Sequence, residues 1–143
     1  MSNKSLLKYH ILAEAGAIFG TAITSTYIEL KNYQSVDFIV ATGIGTAADT
    51  TLKIKAKLGN SGTAAAISFK EKLGPTNYSY IASTGKTFSI GGTEGECGYI
   101  VVTVAADDLK GLYDRVAIDL TAVANSTVPG AIIAITYDPR YSE

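Results

Sequence analysis

The chain is 143 residues long, 47% hydrophobic and 17% charged, with 12 basic and 13 acidic residues that leave a formal net charge of −1. That length suits one compact domain with its own core, and the composition is too apolar for a disordered chain. No basic block stands out beyond the alternating Lys53, Lys55 and Lys57, so the sequence shows no evident phosphate-neutralising surface of the kind nucleic-acid binding uses, and so low a charged fraction implies that part of the surface is covered by neighbours.

The residue types favour strands. Nine Tyr, no Trp and abundant Thr, Val and Ile fit a pleated, half-buried surface, and 14 Gly supply turns. Cys97 is the single cysteine, so no intrachain disulfide forms, which fits a reducing compartment or a particle assembled inside a cell.

Residues 1–24 read as an arm. Leu7, Ile11 and Ile18 line one face of a short helix, although Gly16 and Gly20 weaken that reading. The alternatives are an extended arm on a neighbouring subunit or a terminus that meets its own domain. Lys4 and Lys8 ahead of the apolar run from Ile11 to Ile23 mimic a signal peptide loosely, but Glu14 interrupts the run. It is too short and broken to span a bilayer.

Strands follow. Thr26–Leu30 and Val36–Thr42 are separated by a turn through Asn32 and Ser35, and Gly43 and Gly45 end the second. Thr51–Leu58 is the clearest strand: Leu52, Ile54, Ala56 and Leu58 point one way, and Thr51, Lys53, Lys55 and Lys57 the other. Strict period two means one buried and one wet face. Gly59-Asn60-Ser61-Gly62 then predicts a turn, with Ala65–Lys70 returning as the hairpin partner. Gly74-Pro75 breaks the chain before short strands at Tyr78–Ser83 and Thr87–Ile90, and Gly91–Glu96 reads as an exposed loop. Tyr99–Ala105 is nearly continuous Val, Ile and Thr, the pattern of a strand covered on both faces. A turn at Asp107–Gly111 leads to Tyr113–Val123, with Val116, Ile118 and Leu120 inward and Arg115 and Asp119 outward. Ala131–Tyr137 is the last core strand, and Asp138-Pro139-Arg140-Tyr141 closes the chain. Seven to nine short strands at this spacing, with no helices between them, predict an all-β, single-domain antiparallel β-sandwich or jelly-roll-like barrel over residues 25–143, preceded by an irregular or short helical arm.

The motifs that carry chemistry fail on context. Ser83-Thr84-Gly85-Lys86-Thr87 ends like a phosphate-binding loop, but Tyr80 stands where the first Gly belongs and no helix follows. Gly43-Ile44-Gly45 lacks the third glycine of a dinucleotide fingerprint. His10, the sole histidine, has no nucleophile beside it in the sequence, and Cys97 follows Glu94 and Glu96, whose charge raises a thiol pKa. The pairs Glu94/Glu96 and Asp107/Asp108 sit in turns, where acidic residues are ordinary, and no EF-hand spacing occurs. Tyr78, Tyr80, Tyr99, Tyr113, Tyr137 and Tyr141 suit packing or a protein interface better than a sugar platform that lacks Trp. Asn3-Lys4-Ser5, Asn77-Tyr78-Ser79 and Asn125-Ser126-Thr127 are chance-level glycosylation triplets. No catalytic, cofactor-binding or metal-binding residue is expected.

Three stretches resemble small β-sandwich proteins encoded among the head and tail genes of tailed bacteriophages: Ile28–Leu30 with Tyr33–Gly43, the strand Thr51–Leu58 before its Gly/Asn/Ser turn, and Tyr99–Val104 with Tyr113–Leu120 leading to Ala131–Tyr141. The resemblance runs from about residue 24 to the end. It implies an auxiliary (decoration or cement) protein of a virion, assembled in the host cytoplasm, with no enzymatic activity and no cofactor. The partner it implies is the major capsid protein, with self-association as a further possibility and neither nucleic acid nor membrane as partner. A head–tail connector or tail component, a carbohydrate-binding module and a hydrolase using turn carboxylates are the competing readings. Leu7, Ile11, Tyr137 and Tyr141, apolar or amphipathic residues near the termini, are the expected subunit contacts.

Overall fold

The computed structural model of the chain describes residues 7–31, 33–74, 76–92 and 98–139. It is built from twelve strands: β1 (Leu7–Gly16), β2 (Ile23–Thr24), β3 (Ile28–Glu29), β4 (Tyr33–Thr42), β5 (Gly45–Lys57), β6 (Ala65–Ile67), β7 (Phe69–Lys72), β8 (Tyr78–Ile81), β9 (Lys86–Gly92), β10 (Tyr99–Ala105), β11 (Arg115–Leu120) and β12 (Gly130–Pro139). Among the described residues one 3-10 turn, Ala106–Leu109, interrupts them. The first sheet runs β1-β12-β4-β10-β7-β8 and the second β2-β11-β5-β6, with β3 also on β11 and β9 also on β5. All the pairings are antiparallel. The expected β-sandwich is therefore the fold.

Alternation builds the core. Val36, Phe38 and Val40 of β4, Ile100, Val102 and Val104 of β10 and Ile132 and Ala134 of β12 are buried from the first sheet. Leu52, Ile54 and Ala56 of β5 and Val116, Ile118 and Leu120 of β11 are buried from the second. All belong to one cluster. Each fully buried Val, Leu, Ile or Phe contributes roughly 1.5–3 kcal/mol relative to exposure. The registers Ile118↔Ile54 and Ile132↔Val40 hold these residues opposite one another. A slip by one residue would turn every one of them to solvent.

Several expectations need correction. The stretch read as an irregular or short helical arm is, over Leu7–Gly16, a strand paired along β12 from Leu7↔Tyr137 to Gly16↔Gly130. The free ladder of β12 offers this segment seven paired positions, and a helix here would be weakened by its glycines. Ala65–Lys70 is not one hairpin arm. Ala65–Ile67 pairs with β5, and the chain then crosses at Ser68 so that Phe69–Lys72 joins β10 in the other sheet. Leu58 does not share the buried face of β5. The strand stops at Lys57, and Leu58 is exposed in the turn. The continuous run of β10 is covered on both faces only in part: on the outer face Thr103 is buried, but Val101 is half-buried and Tyr99 exposed.

The expected turn before β9 stands. Ser83–Thr87 is the tight connection between β8 and β9, with Gly85 at φ +101 and its N–H donating to the Ala82 carbonyl at 3.0 Å. The expected loop Gly91–Glu96 is corrected at its start, where Gly91 and Gly92 belong to β9, and residues 93–96 lie outside the described residues, as does Cys97.

Phe19 closes one end of the core between β1 and β2. It is fully buried, and its carbonyl accepts the Val123 N–H at 2.9 Å. A Cβ on Gly130 would lie 2.6 Å from the Phe19 Cζ and 2.8 Å from the Ala41 carbonyl. Gly130→Ala is therefore expected to cost about 1–3 kcal/mol by overpacking, read by urea denaturation. Gly98→Ala, where a Cβ meets nothing within 4 Å, should change little.

Candidate interaction surface

The outer face of the first sheet carries an apolar row. The registers place Ile11, Ile133, Ile39 and Val101 side by side on β1, β12, β4 and β10. Ile11 is 72% exposed and Ile133 36%. Tyr9 beside Ile11 and Tyr99 at the start of β10 are also exposed. Sequence alternation alone does not reveal this row. Each strand carries an apolar residue on its outer face, and only the pairing shows that these residues align.

A polar cluster adjoins the row. Asp37, on the outer face of β4, is 8% exposed. Its carboxylate accepts from Lys72 Nζ at 3.2 Å and from the Tyr137 hydroxyl at 3.1 Å. The Lys72 ammonium also lies 5.9 Å from the Tyr137 ring centroid. The hydrogen bond to Asp37 holds the Lys72 ammonium above its ordinary pKa, and burial foremost pushes the Tyr137 phenol up.

Of the expected contact residues, Leu7 and Tyr137 take opposite register positions in the β1–β12 ladder, and Ile11 stands opposite Ile133. Three of the four are thus brought to one sheet edge. Tyr141 lies outside the described residues. The hydroxyl of Tyr137 is committed to Asp37 within its own chain, whereas Ile11 is open to solvent.

A second feature escaped the sequence reading. Where β1 of one sheet faces β3 of the other, the sandwich opens into a groove of about 590 Å³. Lys8 and His10 line it from β1, and Glu29, Lys31 and Arg115 from the opposite side. Arg115 is anchored there by Asp114 at 2.9 Å, Glu29 at 3.3 Å and Asn60 at 2.6 Å. The Asp114 carboxyl is held below its usual range by the Arg115 hydrogen bond and then by the Gly59 N–H. His10 Nε2 stands 3.4 Å from the Thr136 hydroxyl, and burial followed by the Lys8 charge lowers the imidazole pKa.

The remaining candidates disperse. Asp107 and Asp108 project from the exposed 3-10 turn, and Glu94 and Glu96 lie outside the described residues. Among the described residues, no three His, Cys, Asp or Glu side chains come together as a metal site would require.

The fold is thus that of a two-sheet antiparallel β-sandwich with one open apolar face. No family model and no curated protein matches the sequence. The crystal structure of the SPBc2 prophage-derived protein YomS is similar, with a TM-score of 0.55 and 13% identity over 92% of this chain and 93% of that one. This is a likeness of fold. Two further structures superpose too loosely to bear on it. One is a Bacillus endospore appendage protein of a disulfide-linked pilus, with a TM-score of 0.35 and 16% identity over 96% of this chain and 93% of that one. The other is the infectious bursal disease virus VP2 subviral particle, with a TM-score of 0.27 and 14% identity over 97% of this chain and 43% of that one.

Three of the perturbed groups, His10, Lys72 and Tyr137, make stability depend on pH. With the His10 pKa lowered on folding, the unfolded chain protonates first, so stability is full above about pH 6.5 and falls as pH drops below it. With the Lys72 and Tyr137 pKa values raised, stability is full below about pH 10 and falls above it. Thermal melts between pH 5 and 11 should show both shoulders. His10→Gln should flatten the acid one and Tyr137→Phe should reduce the alkaline one.

Proposed function

We propose that this chain is a non-enzymatic structural component of a tailed-phage particle, an auxiliary protein seated on the major capsid protein lattice and assembled with it in the host cytoplasm. The open apolar row Ile11–Ile133–Ile39–Val101 carries the reading. An aligned apolar row that is partly open to solvent on one sheet face suits a docking surface. Burying it between subunits supplies the favourable term in association. The N-terminal stretch 1–24 joins that contact through β1, which forms the end of the row. The likeness of fold to a prophage-derived protein supports the same reading.

Particles purified on a density gradient should contain this protein in a fixed ratio to the major shell protein, quantified by mass spectrometry. A few copies per particle would instead indicate a connector or tail position, and absence would overturn the proposal. Ile11→Glu should reduce incorporation at least tenfold. The melting temperature should hardly change, because the Ile11 side chain is already largely exposed.

A further inference from the structure

We infer that the groove between β1 and β3 docks an extended acidic segment of a partner protein, which adds as a strand to the free edge of β1. Three observations carry this.

The first is the edge. Among the described residues β1 pairs only with β12, and β3 only with β11. The opposite edge of β1 therefore presents unpaired N–H and C=O groups, and the groove lies along it. The register with β12 is regular from Leu7 to Ile11 and shifts only beyond it. A run of five residues is thus available as a template for strand addition.

The second is charge. The groove holds Lys8, Lys31 and Arg115 against one acid, Glu29. Arg115 is already engaged by Glu29 and Asp114. Lys8 and Lys31 enter no ion pair among the described residues, so the groove is cationic.

The third is alternation. Lys8 and His10 sit opposite Thr136 and Ala134, whose side chains are buried between the sheets, so they face the groove. Tyr9 and Ile11 face outward beside the apolar row. An added strand keeps this period. Its groove-facing positions would meet the Lys8 and Lys31 ammonium groups and the His10 imidazole, and its outward positions would meet Tyr9 and Ile11. The complementary segment therefore alternates acidic with apolar, β-branched residues. A nucleic acid would satisfy the cations but would leave the strand edge unpaired, which favours the peptide.

The inference names partner chemistry that the assembly proposal leaves open, and it can be tested separately. The probe is a fluorescein-labelled eight-residue peptide of alternating glutamate and valine, followed by fluorescence anisotropy on the full chain. It should bind, and more weakly as salt rises. The same peptide with lysine in place of glutamate, and the glutamate peptide with alternate backbone nitrogens methylated, should each bind at least tenfold more weakly. Lys8→Glu with Lys31→Glu should reverse the preference toward the lysine peptide, which also reports that the variant is folded. No binding, equal binding of the methylated peptide, or equal competition by a single-stranded oligonucleotide would overturn the inference. A particle component that ignores the peptide sinks this inference alone. A peptide binder missing from particles sinks the assembly proposal alone.

Discussion

The single core that β4 and β5 build from the two sheets is the constraint on which the molecule depends. Each is a central strand, and each presents three buried side chains inward: Val36, Phe38 and Val40 from one sheet, and Leu52, Ile54 and Ala56 from the other. Their period-two alternation fixes which face of each sheet is core. The ladders of β12 and β10 on β4, and of β11 on β5, then inherit that choice residue by residue. Both candidate surfaces are consequences. The apolar row is the reverse face of the first sheet, and the groove is where the two sheets part at β1 and β3.

The two sheets differ in how they treat their outer faces. On β5 the outward residues include Lys53, Lys55 and Lys57, a solvated face that needs no partner. On β12, β4 and β10 the outward residues include Ile133, Ile39 and Val101. An antiparallel sheet can face water on one side at little cost when that side is polar. The first sheet does not take that option, and the asymmetry between the sheets is the structural argument for assembly. The Asp37–Lys72–Tyr137 cluster adds fixed polar geometry beside the apolar row. Such a cluster gives an interface register as well as affinity.

Edges matter as much as faces in this fold. The chain crosses between sheets at Ser68 and again through the Gly85 turn, so that β6 to β9 close one side of the sandwich. On the other side the strands near the groove, β2 and β3, are two residues each. The long β1, regular from Leu7 to Ile11, therefore faces only fragments of strand across the groove, with its outer backbone edge available.

By itself the sequence determined the class of fold and most of its core. Val36, Phe38, Val40, Leu52, Ile54, Val116, Ile118 and Leu120 are all legible from alternation, because period two is a local property of the chain. The turns at Gly59–Gly62 and Ser83–Thr87 are legible for the same reason, since Gly and Asn act where they stand. Tertiary structure alone decided the rest. Residues 7–16 form a strand because β12, more than a hundred residues later, offers a ladder. Ala65–Lys70 divides between sheets because β5 and β10 both lack a partner there. Ile11, Ile133, Ile39 and Val101 become one surface only through pairing, and Lys8, Lys31 and Arg115 become one groove only where two sheets diverge. Strand pairing is non-local, and nothing within a strand's own residues says which strand will lie beside it.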